Sequence, residues 1–182
     1  MCYWHGACRF QQALAEAQLI FARAYSLFEN QRGDDLDGLA LTAAHAMHAA
    51  IYALDDLSVL DQWIERAESL TQHKQLAGQA QARLAVSLFM AAVFRQPYHP
   101  QIGVWAERAL DASRSLSDAQ LRLSTQILLA VNLNYTGQFS RTLEFLSGMG
   151  RHGEAPGAQP LERTALKTVE SMYHMLNADA GP

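Results

Sequence analysis

His45 and His48 stand three residues apart, and the paired carboxylates of Asp55 and Asp56 follow soon after. Imidazoles one helical turn apart can share a metal ion, but a closed site needs about three or four converging ligands. Here His48 falls on the apolar stripe of its helix and His45 to one side, so the rings should diverge. The aspartates are better explained as caps of the helix that follows, their oxygens accepting from its unpaired amides. Cys2, His5 and Cys8 offer a second trio at helical spacing, but a fraying terminus would hold such ligands poorly. No metal site is expected at either place. Trp63 and Trp105 could stack on a ligand, yet they recur in step along the chain, which favours packing between repeated elements. A Gly-rich phosphate loop, a nucleophile elbow and a His-Glu-x-x-His pair are all missing, as is any strand-to-helix context for them. The reading is of a non-catalytic chain without a cofactor.

Those residues need elements to position them, and composition bounds what the elements can be. The 182 residues are 49% hydrophobic and 18% charged, with a formal net charge of -4. Such a chain can bury a core and lies far from the composition of disordered proteins. The acidic balance and the lack of a dense Lys/Arg cluster argue against direct nucleic-acid contact. Without an apolar run of roughly 18 to 20 residues or a basic-then-apolar leader, no membrane span or secretion signal is expected. The only cysteines, Cys2 and Cys8, form no disulfide framework, and a reducing, cytoplasmic location follows as the expectation.

Apolar residues recur at helical spacing along nearly the whole chain, which predicts an all-α fold with no sheet. Short breakers punctuate the pattern at Gly33-Asp34-Asp35, Asp55-Asp56, residues 71–74, residues 97–100, residues 115–118 and Thr136-Gly137. Glycine can close a helix in the left-handed conformation, and Asp or Ser can cap the next one. Ser117-Asp118-Ala119-Gln120 reads as a capping box. About nine helices are predicted, over residues 2–11, 14–31, 36–54, 57–70, 76–95, 101–115, 118–135, 139–148 and 160–177. Residues 149–159, with three glycines and Pro156, read as an exposed loop, and 178–182 as a frayed tail.

An internal repeat organises these helices. Trp63-Ile64-Glu65-Arg66-Ala67 returns as Trp105-Ala106-Glu107-Arg108-Ala109, and the same step backwards reaches Phe21-Ala22-Arg23-Ala24, giving a period of about 42 residues. The chain thereby resembles the tetratricopeptide repeat, whose first helix packs through its fourth, seventh, eighth and eleventh positions. Those positions carry Ala44, Met47, His48 and Ile51, then Val86, Phe89, Met90 and Val93, then Gln126, Leu129, Ala130 and Leu133. Ten of the twelve are apolar, as one buried helix face requires. The period exceeds the family's usual 34 residues and the unit-ending proline is absent at Gln72 and Arg114, so the helices must be longer than standard. That longer unit, with Ala24-Tyr25-Ser26-Leu27-Phe28, Gly33-Asp34, Asp55-Asp56 and Trp63-Ile64, is similar to the helical-repeat region of MalT-type ATP-binding bacterial transcriptional regulators over residues 1–148.

The resemblance implies a single domain, residues 1–182, built as a right-handed superhelical stack of antiparallel helix pairs and forming a segment of a longer protein. It implies binding along a concave wall. The residues carried onto that wall are Thr42, His45 and Tyr52, then Ser87, Phe94 and Arg95, then Ser124, Asn134 and Tyr135. Flat aromatic area beside directional polar groups suits a protein or peptide partner, or a small-molecule inducer. The function expected is that of the sensory or interaction segment of a signalling or transcriptional regulator. The alternative is a structural oligomerisation module that pairs through exposed end faces and takes no soluble ligand.

Overall fold

The computed structural model describes residues 13–30, 35–73, 75–115, 119–153 and 160–177. Among them lie eight α-helices and no strand: α1 (Leu14–Asn30), α2 (Leu36–Ala53), α3 (Val59–Thr71), α4 (Gly78–Arg95), α5 (Ile102–Ser115), α6 (Ala119–Tyr135), α7 (Phe139–Gly153) and α8 (Pro160–Asn177). None of the described helices is long and apolar enough to cross a membrane. The helix predicted over 2–11, the capping box at 117–120, most of the predicted loop and the tail fall wholly or partly outside the described residues.

Three helix boundaries have a local cause. Asp35 opens α2 by accepting the Gly38 amide on its Oδ1 at 2.7 Å. Asp56 accepts the Ser58 amide at 2.8 Å, turning the chain into α3. Gly137 closes α6 with φ +70, and the bonds from the Gln138 amide to Leu133 O (2.8 Å) and from the Gly137 amide to Asn134 O (3.1 Å) complete a Schellman turn. Helix α7 runs on to Gly153, past the end expected at 148. A glycine inside a helix costs only about 1 kcal/mol relative to alanine, so Gly148 and Gly150 do not stop it.

The chain forms two compact units, residues 1–117 and 118–182. In the first, α2 and α4 pack on each other and are bordered by the outer helices: α1 and α3 on α2, α3 and α5 on α4. The outer helices bury one stripe each, for example Ala17, Phe21, Ala24 and Tyr25 on α1 and Leu60, Trp63, Ile64, Ala67 and Leu70 on α3. The inner two are buried on nearly every side, with ten and twelve buried residues respectively. A helix apolar all round belongs in an interior. Two hydrogen bonds fix their common direction. Asp37 on the first turn of α2 accepts the Ala77 amide at the start of α4 at 2.8 Å. At the other end, Arg95 from the last turn of α4 reaches Asp61 in the first turn of α3, the helix that follows α2. The second unit is a three-helix cluster in which every pair touches, built around Ala130, Leu146, Leu166, Val169 and Tyr173.

Candidate functional site

The candidate wall residues divide between the units: Thr42, His45, Tyr52, Ser87, Phe94 and Arg95 in the first, and Ser124, Asn134 and Tyr135 in the second. Within the first unit they separate again by depth. Thr42 and Ser87 are buried and give their hydroxyl protons to carbonyls one turn back, Thr42 to Gly38 O at 2.6 Å and Ser87 to Arg83 O at 2.7 Å. Buried side chains of this kind cannot meet a partner in the folded unit. The accessible members gather where α2 and α4 end: Tyr52 is 59% exposed, Phe94 39%, and Arg95 is exposed beside it.

Between these layers lies a polar seam. His48 Nε2 is 3.0 Å from Ser87 Oγ, joining α2 to α4. With the Ser87 proton given to Arg83 O, a proton on His48 Nε2 satisfies both contacts. The pair ties α2 to α4 through their side chains. Burial, with the charges of His45 and Arg83 adding to it, pushes the His48 pKa down to about 4. His45 Nδ1 lies 2.7 Å from Leu41 O, and its ring packs 5.6 Å from Phe21 of α1 and 6.4 Å from the ring of His48, so the two imidazoles remain neighbours. Burial lowers its pKa too, opposed by the Leu41 bond. Among the described residues no group of three or more metal-ligating side chains converges.

At the ends of the inner helices the chemistry changes. Arg95 holds Asp61 in a two-pronged pair, Nε to Oδ1 at 3.0 Å and Nη2 to Oδ2 at 2.7 Å, and Gln96 adds a bond to the same carboxylate at 2.8 Å. These bonds hold the exposed Asp61 carboxyl below its usual pKa. Leu54 closes α2 at φ 50 and ψ 30, the left-handed conformation that usually falls to glycine. It is 75% exposed, and Tyr98, four residues beyond Phe94, is 77% exposed. Leu54 and Tyr98 escaped the sequence reading because repeat positions predict helix faces and not the turns between them, and Asp61 because it lies on α3, outside the helices whose positions form the expected wall. Only the strings Leu54-Asp55-Asp56 and Arg95-Gln96-Pro97 hint at these ends.

In the second unit Asn134 is buried, its Nδ2 giving a long 3.4 Å bond to Val169 O while Oδ1 has no partner. Ser124 and Tyr135 are exposed. The tryptophans are both buried, as packing residues should be, but their ring partners differ. Trp63 meets Tyr25 edge-on at 5.3 Å with the Arg66 guanidinium over both rings, whereas Trp105 stacks on His99 at 4.4 Å. A separate cleft of about 480 Å³ in the first unit has Leu76, Leu84 and Ala85 along its wall and Gln81, Arg108 and Asp111 among its polar residues, and none of the nine candidates lines it. Compared with family models, with curated proteins and with solved structures, the chain returns no match.

Proposed function

We propose that this chain is a non-catalytic binding module of tetratricopeptide-like helix pairs, serving as the sensory or interaction segment of a bacterial transcriptional or signalling regulator. One observation carries the repeat reading. Helices α2 and α4 have 18 residues each and begin 42 residues apart. Of the ten buried positions of α2, nine fall on buried positions of α4 one period later; the exception is Leu39, whose counterpart Gln81 is exposed. Two independent helices would not share one burial pattern at one offset, whereas stacked repeats that present the same faces to successive neighbours would. One exposed position keeps step as well, Tyr52 with Phe94 at the ends of the two helices.

Such a module acts by binding, and a ligand alters it only by preferring one arrangement of the stack over another. Thermal melting and small-angle scattering with panels of peptides and small metabolites test this. A true ligand raises the melting temperature, and Tyr52→Ala with Arg95→Ala abolishes that rise; unchanged binding by the double variant would remove the helix ends from the site. For the regulator assignment, the flanking gene sequence is expected to encode a phosphate loop upstream or a helix-turn-helix downstream. A second reading, self-assembly without a soluble ligand, is favoured by Leu143, Met175 and Leu176, which are 48%, 72% and 43% exposed on the second unit. Light scattering at several concentrations separates the two, since strict monomers exclude assembly.

A further inference from the structure

From the ends of α2 and α4 we infer that this rim docks an extended peptide segment of a protein partner, one that interleaves Lys or Arg with large apolar residues. The inference rests on the binding-module reading and names the partner's chemistry.

Three features of the rim carry it. The first is exposed apolar area: Tyr52, Leu54, Phe94 and Tyr98 are 59%, 75%, 39% and 77% exposed. Leu54 stands out, because it occupies a left-handed conformation that leucine rarely adopts and its side chain is not buried in return. A residue held in unfavourable backbone geometry with its apolar group in water is the pattern of a contact made for another molecule.

The second feature is the sign of the charge. The C-terminus of a helix carries partial negative charge and is normally balanced by basic residues. The last turn of α2 has none, and two exposed carboxylates, Asp55 and Asp56, follow immediately. Asp61 is already neutralised by Arg95, and that same guanidinium stands close enough to act on Asp56. Asp56 otherwise bonds to Ser58, whose backbone amide and side chain both hold its carboxyl below the usual pKa. The rim thus keeps an excess of negative charge among aromatic rings, which suits ammonium and guanidinium groups both by Coulomb attraction and over ring faces.

The third is what the rim rejects. Nucleic acid and anionic headgroups meet carboxylates and are repelled. A second copy docking face to face would oppose Asp55 and Asp56 to themselves, since a two-fold interface brings the same patch to itself. A cationic, partly apolar segment is the occupant that remains.

Fluorescence anisotropy with labelled nonapeptides tests the proposal on the full chain. One probe alternates lysine with leucine and phenylalanine, a second replaces each lysine by glutamate, and a third is Ser-Gly only. The lysine probe is expected to bind at least tenfold more tightly than either control and to weaken with added salt. Leu54→Gly relieves the backbone and keeps the fold, so its expected loss of at least fivefold in affinity reports the contact and not unfolding. Asp55→Asn with Asp56→Asn should weaken the lysine probe about tenfold, while Asp111→Asn, outside the rim, should not. Equal binding of the lysine and glutamate probes, or no change in either rim variant, overturns the inference. If some other peptide or metabolite still binds, the module reading survives that result; if nothing binds at all, both fail together.

Discussion

Thr42, Ser87 and Ser113, buried in the first unit, each give their hydroxyl proton to a carbonyl of their own helix, whereas Asn132 Nδ2 and Asn134 Oδ1, buried in the second, have no partner. The contrast lies in the side chains as much as in their surroundings. A hydroxyl has one proton, and the carbonyl one turn back can take it. A carboxamide has two donors and an acceptor, and its own helix cannot satisfy all of them. An orphaned buried polar atom costs about 1–3 kcal/mol. The first unit is therefore the more tightly specified body, and the second carries a built-in weakness along α6.

Trp63 and Trp105 are buried in the first unit, so their fluorescence follows that unit while far-ultraviolet circular dichroism follows both. In urea the two signals should part, the dichroism beginning to fall first. Coincident curves would break the comparison. The largest effect is expected from Phe89→Ala, which empties a fully buried position on α4. It should cost about 3–5 kcal/mol and shift the fluorescence transition.

Acid should act on the same unit next most strongly. His48 is neutral when folded, with a pKa near 4 against about 6.5 when unfolded, so the unfolded chain binds the extra proton. The stability attached to it is complete above pH 6.5 and declines as pH falls towards 4, by roughly 3 kcal/mol. Urea titrations at pH 7 and pH 4.5 measure it, and His48→Gln should flatten the dependence. Gly38→Ala comes third, at about 1–3 kcal/mol. A methyl group there would lie 2.7 Å from Asp35 Oδ2 and 2.8 Å from the Phe28 ring, disturbing the cap of α2. Asn134→Leu is the smallest and of opposite sign. By removing the unpaired Oδ1 in favour of an apolar group of similar size, it should raise the stability of the second unit by about 1 kcal/mol, seen in dichroism and not in fluorescence.

Much of the helical layout is legible from residue order because its signals are local. Asp35, Asp56 and Gly137 act within a few residues of themselves, and the observed ends of α1 to α6 lie within two residues of those expected. Helix α7 departs because glycine lowers helix stability without forbidding helix. The site is legible only in part. Tyr52, Phe94 and Arg95 emerge at accessible positions from the repeat register alone, but the same register also nominates Thr42 and Ser87, which are buried. Periodicity says which residues share a face; it does not say whether that face is open. Contacts such as Arg95 with Asp61 or His48 with Ser87 join residues 34 and 39 apart, and no local rule pairs them.

The bond from the Ala77 amide to Asp37 has one more consequence. Ala77 cannot cap α4 with its own side chain, so the helix takes its opening partner from the preceding hairpin. A fragment starting beyond α2 would begin α4 with that amide bare. Order is thus built in at this point: α2 leaves a docking point for the start of α4, and cutting the chain ahead of α4 should fray it from its first turn inward.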